Sequence, residues 1–214
     1  MNNKKDGFSV FFIFTYIYMS FNLIIHENQT EYGIIYGNST VVLLKTGLNG
    51  SINGYENKYL NLATQINEIF GFTAVIASNP YDGSFKTYLG LANDHIKNTL
   101  ELIKEELPIA PVKYYYIGVS NGALIGLFHS YKYPIIEKSL LINMPLYIMN
   151  IFAIRKCIAK YPKPPSIIYG SLDDSFPMVK YLKVHMTIIT GEDHFFSKGK
   201  KDISKVIINF LKET

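Results

Sequence analysis

Residues 114 to 128, YYYIGVSNGALIGLF, begin as an apolar aromatic run and turn abruptly to small residues around one serine. A run that ends on Gly118-Val119-Ser120-Asn121-Gly122 reads as a buried strand passing straight into a helix. A Gly-x-Ser-x-Gly turn at that junction forms a sharp elbow. The serine takes a strained backbone conformation at its apex, and the flanking glycines remove Cβ atoms that would collide with strand and helix. Ala123 and Gly126 extend the small-residue face, so the helix can sit close against the sheet. The Ser120 hydroxyl then stands above the carboxyl ends of the strands, and the Asn121 N–H, at a helix N-terminus, faces any oxyanion formed there.

A serine hydroxyl is a weak nucleophile at neutral pH and needs a base, which in turn needs an orienting carboxylate. Both are expected downstream, acid before histidine, on loops that follow later strands. SIIYGSLDDSFP ends a strand at Gly170 and offers Asp173 and Asp174. MTIITGEDHFFS ends the last strand and offers His194 ahead of two phenylalanines. Glu192 and Asp193 flank that histidine, but adjacent side chains on an extended loop diverge, so both read as solvent-facing. His129 lies too far down the helix after the elbow to reach the serine, and His26, His95 and His185 precede or begin elements at the wrong positions.

Outward from the elbow, strand-like and helix-like segments alternate. Residues 22 to 37 read as a hairpin with a polar turn, and TVVLLK (40 to 45) is a buried strand ending at Thr46-Gly47. Residues 55 to 70 carry Tyr59, Leu62, Ile66, Ile69 and Phe70 on one helical face, with Gly71 as the stop. FTAVIAS (72 to 78) is the next strand. A helix over 93 to 107, capped by Asn93 or Asp94, buries Ile96, Leu100, Ile103 and Leu107. Strands at 139 to 144, 166 to 170 and 185 to 190, a helical stretch at about 147 to 160 and a closing amphipathic helix complete the pattern. Continuous apolar strands, each followed by a helix, predict an α/β fold with a mostly parallel central sheet covered by helices on both faces.

The 214 residues suit one domain with a large core, and 48% hydrophobic against 18% charged residues excludes a disordered chain. A net charge of +4, scattered along the chain, argues for no nucleic-acid partner, and the densest basic run, 198 to 201, reads as a solvated loop. Cys157 is the single cysteine, so no internal disulfide and no cysteine-based metal site can form, and no CxxC, HExxH, GxGxxG or P-loop pattern occurs. The apolar stretch at 8 to 25, behind Lys4 and Lys5, has about the length of a membrane span. Three readings of residues 1 to 22 stay open: an anchor in contact with membrane, edge-strand material, or an extraneous start ahead of Met19. The location is accordingly read as cytoplasmic, or membrane-anchored through that segment, and the domain proper as 23 to 214.

Together GVSNGA, YGSLDDSFP and TGEDHFF, in that order, resemble the α/β-hydrolase superfamily, and more loosely its dienelactone-hydrolase-like and small serine-esterase members, over about residues 23 to 212. The resemblance implies Ser120 as nucleophile, His194 as general base and then acid, and Asp173, the third residue after Gly170, as orienting acid, with Asp174 as fallback. It implies a second oxyanion N–H on the loop after TVVLLK, where Thr46-Gly47-Leu48-Asn49-Gly50 keeps the family's glycines but has threonine for its usual histidine. Leu48 N–H would then pair with Asn121 N–H. Residues 78 to 84, SNPYDGS, match only in their Gly-Ser ending and are assigned packing. The apolar segment from Met144 to Pro165 implies a minimal lid and a pocket lined by Leu146, Tyr147, Met149 and Phe152. The implied activity is acyl transfer on a small apolar ester without metal or organic cofactor. A thioesterase or peptidase of the same fold is the alternative, and a non-catalytic binding protein a lesser one.

Overall fold

A computed structural model describes residues 21–25, 29–92, 94–197 and 203–213. Most of the N-terminal apolar stretch, His26, the candidate cap Asn93 and the basic run 198–201 lie outside the described residues. The expected hairpin is β1 (Phe21–Ile25) paired antiparallel with β2 (Glu31–Ile35). The next elements are β3 (Asn38–Lys45), a 3-10 turn at Tyr55–Asn57, α1 (Lys58–Phe70) and β4 (Phe72–Ala77). Gly71 ends α1 at φ 67, the left-handed conformation that glycine adopts without strain. Then come α2 (Phe85–Tyr88), α3 (His95–Glu106), β5 (Lys113–Val119), α4 (Asn121–His129) and β6 (Ile136–Ile142). The chain continues through α5 (Ile151–Ile158), β7 (Ser166–Gly170), α6 (Phe176–Val179), β8 (Thr187–Ile189) and α7 (Ile203–Lys212).

The described residues form one eight-stranded sheet in the order β1-β2-β4-β3-β5-β6-β7-β8. β2 joins β4 antiparallel, and every pairing from β4 through β3 to β8 is parallel. The chain moves outward from β3 to β4, then crosses back over β3 to β5. That reversal opens a crevice at the carboxyl ends of β3 and β5, the place where open α/β sheets bind ligands.

Side-chain alternation divides the interior in two. Val41 and Leu43 of β3 and Tyr114 and Tyr116 of β5 face α3, α4 and α5, packing with Ile103, Leu124 and Ile154. Val42, Leu44, Tyr115 and Ile117 face α1 and α7, packing with Leu62, Ile66, Ile207 and Leu211. Both faces are apolar because both are covered, which explains strands that read as unbroken hydrophobic runs.

The structure departs from the sequence expectations in detail. Ile69 leaves the buried stripe of α1 and is exposed, Leu107 lies past the end of α3, and Asp94 flanks α3 at φ 74 without a side-chain cap bond. The short helices α2 and α6 were not anticipated, having too few turns for a periodic pattern. Among the described residues no helix is long and apolar enough to cross a membrane.

Candidate active site

Ser120 lies between β5 and α4 at φ 55, ψ −120. Such a conformation costs a non-glycine residue about 1–3 kcal/mol and persists only where the surroundings impose it. Here the Ser120 N–H donates to Ile142 O (2.8 Å) at the end of β6, and Ala123 N–H donates back to Ser120 O (2.9 Å). The glycines permit the close packing. A Cβ on Gly118 would lie 2.4 Å from Gly122 O, and one on Gly122 would lie 2.3 Å from Lys45 O. The first turn of α4 therefore rests directly on the end of β3.

His194 and Asp173 come from the loops after β8 and β7. His194 Nε2 lies 2.9 Å from Ser120 Oγ, and its Nδ1 lies 2.6 Å from Asp173 Oδ2. A carboxylate only accepts, so Nδ1 carries the proton and donates to Asp173. The neutral ring then leaves the Nε2 lone pair to accept the Ser120 O–H. Asp173 is buried and takes a second bond at Oδ1 from Ser175 N–H (2.7 Å), whereas Asp174 is exposed. Asn143, fully buried after β6, holds the two loops together. Its Nδ2 donates to His194 O (2.8 Å) and Asp193 O (3.2 Å), and its Oδ1 accepts Gly170 N–H (2.9 Å). The arrangement can pass a proton from a serine hydroxyl to an imidazole whose developing charge faces a buried carboxylate.

No protein-family model matches the sequence, and no curated protein sequence does either. Solved structures do. Est1E from Butyrivibrio proteoclasticus superposes on 91% of this chain and 98% of its own with a TM-score of 0.66 at 14% identity. An α/β serine hydrolase without a lid from Xanthomonas campestris superposes on 91% of this chain and 94% of its own (TM-score 0.63, 15% identity). Dienelactone hydrolase from Anabaena variabilis covers 91% of this chain and 96% of its own (TM-score 0.61, 14% identity). The chain has the α/β-hydrolase fold.

Within that fold, the loop after β3 stands against the elbow: a Cβ on Gly47 would lie 3.2 Å from Ser120 Cβ. Among the described residues neither Leu48 N–H nor Asn121 N–H has an acceptor within the protein. Thr46 is fully buried and donates through Oγ1 to Gly50 O (2.8 Å), closing the loop on itself.

The residues expected to line a pocket separate. Leu146 is fully buried in the core, its N–H donating to Ser175 Oγ (2.9 Å), and Met149 packs against the same core. Their side chains point down because this stretch covers the sheet before it reaches solvent. Tyr147 is exposed, and its phenol pKa is raised, first by partial burial and then by the charges of Tyr88, Asp173 and Asp174. Phe152, 77% exposed, lines a groove of 1060 Å³ with Arg155, Lys183 and His185. That groove lies by the amino end of β7, beside Ser166 and Ile167, away from Ser120. A second groove, of 660 Å³, includes Phe195, the residue after His194. Tyr55, Tyr59, Phe195 and Phe196 line it together with the charged Glu56 and Lys58. Tyr59 hydrogen-bonds the Gly47 backbone, burial pushing its phenol up to about 12, and the Phe195 ring meets the His194 ring edge-on at 5.1 Å.

Glu192 is not solvent-facing: it is fully buried, and its carbonyl accepts Leu172 N–H (2.8 Å), tying the histidine loop to the acid loop. Asp193 is half-buried and turns back to accept Ser197 O–H (2.6 Å). Sequence reasoning also passed over Lys45 and Asn79. Lys45, last in β3, is buried and donates through Nζ to Ser78 O (2.5 Å); burial pushes its amine down to about 7. His95 at the start of α3 is pushed down to about 4, first by burial and then by the charges of Lys45 and His129. The strand alternation Val41, Leu43, Lys45 was a readable sign that this lysine enters the core.

Proposed function

We propose that the protein is a serine hydrolase that cleaves a small apolar ester in two acyl-transfer steps. The observation that carries this reading is the unbroken path from Asp173 through His194 to Ser120, ending on a serine held in a strained elbow. Ser120 Oγ attacks the acyl carbonyl as His194 Nε2 takes its proton, and the imidazolium is balanced by Asp173. The tetrahedral oxyanion is received by the N–H groups of Asn121 and Leu48. His194 then protonates the departing alcohol, leaving an acyl group on Ser120. Water, deprotonated by the same nitrogen, attacks that acyl group and releases the acid.

The groove walled by Tyr55, Tyr59 and Phe195 supports an apolar substrate, because Tyr59 hydrogen-bonds the Gly47 backbone beside Ser120 and the Phe195 ring meets the His194 ring. Its size falls in the range of small-molecule sites, and its aromatic side chains favour an aryl or short hydrocarbon group. Ferulic acid is bound to Est1E in one of the similar structures, which is compatible with an aromatic acyl or alcohol part here.

A fluorophosphonate probe tests the reading. Wild-type protein is expected to be labelled on Ser120 as located by peptide mass spectrometry, and Ser120→Ala is expected to remain unlabelled. Equal labelling of the two proteins removes the nucleophile assignment. Turnover of matched oxygen esters, thioesters and amides then fixes the acyl bond that is cleaved.

A further inference from the structure

Asn79, the second residue after β4, is fully buried, and every polar bond it makes reaches a segment beside Ser120. Its backbone N–H donates to Gly50 O (3.1 Å) and its carbonyl accepts Asn49 N–H (2.9 Å). These two bonds grip the turn that Gly50 N–H closes on Gly47 O (2.9 Å), the turn that presents Leu48 N–H. The Asn79 side chain reaches the other donor. Nδ2 donates to Asn121 Oδ1 (2.9 Å) and lies 3.4 Å from Thr46 O. Asn121, also buried, passes the link on by donating from Nδ2 to Tyr88 O (2.6 Å). One carboxamide thus joins the residue bearing one unpaired N–H to the turn bearing the other.

The chemistry of the position requires an amide. Thr46 O and Asn121 Oδ1 are both acceptors, so the group between them has to supply two N–H bonds. A carboxylate of the same shape would set oxygen against oxygen. The opposite edge of the Asn79 amide has no partner: Oδ1 is buried and unsatisfied among the described residues. Leaving a buried acceptor unmade costs about 1–3 kcal/mol, so packing alone is a poor reason for an asparagine here.

We propose that Asn79 and Asn121 act as a positioning pair that sets the separation of the Leu48 and Asn121 N–H groups. The inference rests on the serine-hydrolase reading above. Neither side chain touches substrate. Their effect falls on the tetrahedral state, where displacement of a donor by about 1 Å is enough to cost on the order of a hundredfold in rate.

The test uses full-length protein with p-nitrophenyl acetate as substrate and an aryl trifluoromethyl ketone as a tetrahedral-state mimic. Asn79→Ala, Asn121→Ala, the isosteric Asn79→Asp and the double alanine variant are compared with wild type. Each single variant is expected to lose about 10- to 100-fold in kcat with KM within about threefold. Affinity for the ketone should fall by the same factor as kcat. The double variant should be no slower than about threefold below the worse single one, because both changes break one link. A structural role alone would lower the thermal midpoint while leaving kcat per folded molecule and ketone affinity unchanged, and that result overturns the proposal. Losses that multiply in the double variant also overturn it. Should Asn79→Ala fail to fold, Asn121→Ala removes the same bond from the other side and decides. Wild-type protein that does not label at Ser120 refutes the enzyme reading itself, whereas a labelled wild type with undiminished variants refutes only the pair.

Discussion

Replacing Lys45 by methionine should change the pH dependence of stability in a way that can be worked out beforehand. The Lys45 amine is buried, donates to one carbonyl and has its pKa pushed from 10.5 to about 7 by desolvation. Above pH 10.5 the amine is neutral in folded and unfolded chains alike. As pH falls from 10.5 to about 7 the unfolded chain binds a proton that the folded chain refuses, so stability declines; below about 7 both bind it and the loss levels off. The slope within that window is about 1.4 kcal/mol per pH unit, or roughly 3 kcal/mol between pH 7 and 9.5. Methionine has nearly the same length, fills the same space and carries no proton. It also leaves Ser78 O without this donor, which costs about 1–3 kcal/mol at every pH and shifts the curve without tilting it. Urea unfolding of both proteins at half-unit steps from pH 7 to 9.5 supplies the difference curve. The raised tyrosines, such as Tyr59 and Tyr114, are common to both proteins and cancel to first order. The wild type should gain on the variant across the window with close to the stated slope. A flat difference curve would show that the amine titrates as a solvated lysine, and the burial argument would be wrong.

Asp173→Asn should keep the fold and lower kcat by about 10⁴, since an amide in that place can hold His194 in the wrong tautomer; a loss under tenfold in steady-state assays would contradict the assigned acid. Gly122→Ala places a methyl 2.3 Å from Lys45 O and 2.5 Å from Thr46 O, both backbone atoms. Calorimetry should record a destabilisation of about 1–3 kcal/mol or more, and an unchanged midpoint would mean that α4 is not seated on β3 as described. Tyr55→Ala and Phe195→Ala, at residues 82% and 72% exposed, should raise KM for 1-naphthyl acetate roughly five- to thirtyfold while leaving that for ethyl acetate within about twofold. Equal effects on both esters would move the apolar subsite elsewhere.

What the sequence made legible was local and periodic. The parallel core strands could be read from apolar runs between turn residues, and Ser120, Asp173 and His194 from the loops that follow three of those strands. The rest is hidden for a physical reason. Glu192 and Asn79 are polar residues buried by partners far away in the chain, and nothing in their immediate neighbours distinguishes them from surface residues. Asn79 sits in SNPYDGS, a typical turn composition, and its position becomes informative only when Thr46 and Asn121 are seen on either side of it. Leu146 and Phe152 illustrate the converse. Both are apolar residues of one segment, yet one is core and the other faces water, because the 3-10 turn at Leu146–Ile148 and the start of α5 rotate them to opposite sides.

The three groups of the proposed triad are anchored with very unequal firmness. Ser120 directly follows a seven-residue strand bonded on both sides within the sheet, whereas His194 lies beyond a strand of three residues paired only with β7. Strands with so few partners open at much lower free energy than the interior. Mild heating or denaturant should therefore silence turnover while the nucleophile strand and its amide protons stay protected, and cooling should restore it without refolding of the whole. On the proposed serine-hydrolase reading, the edge strand thus allows an inactive state close in free energy to the working one, in which the serine is intact but has lost its base.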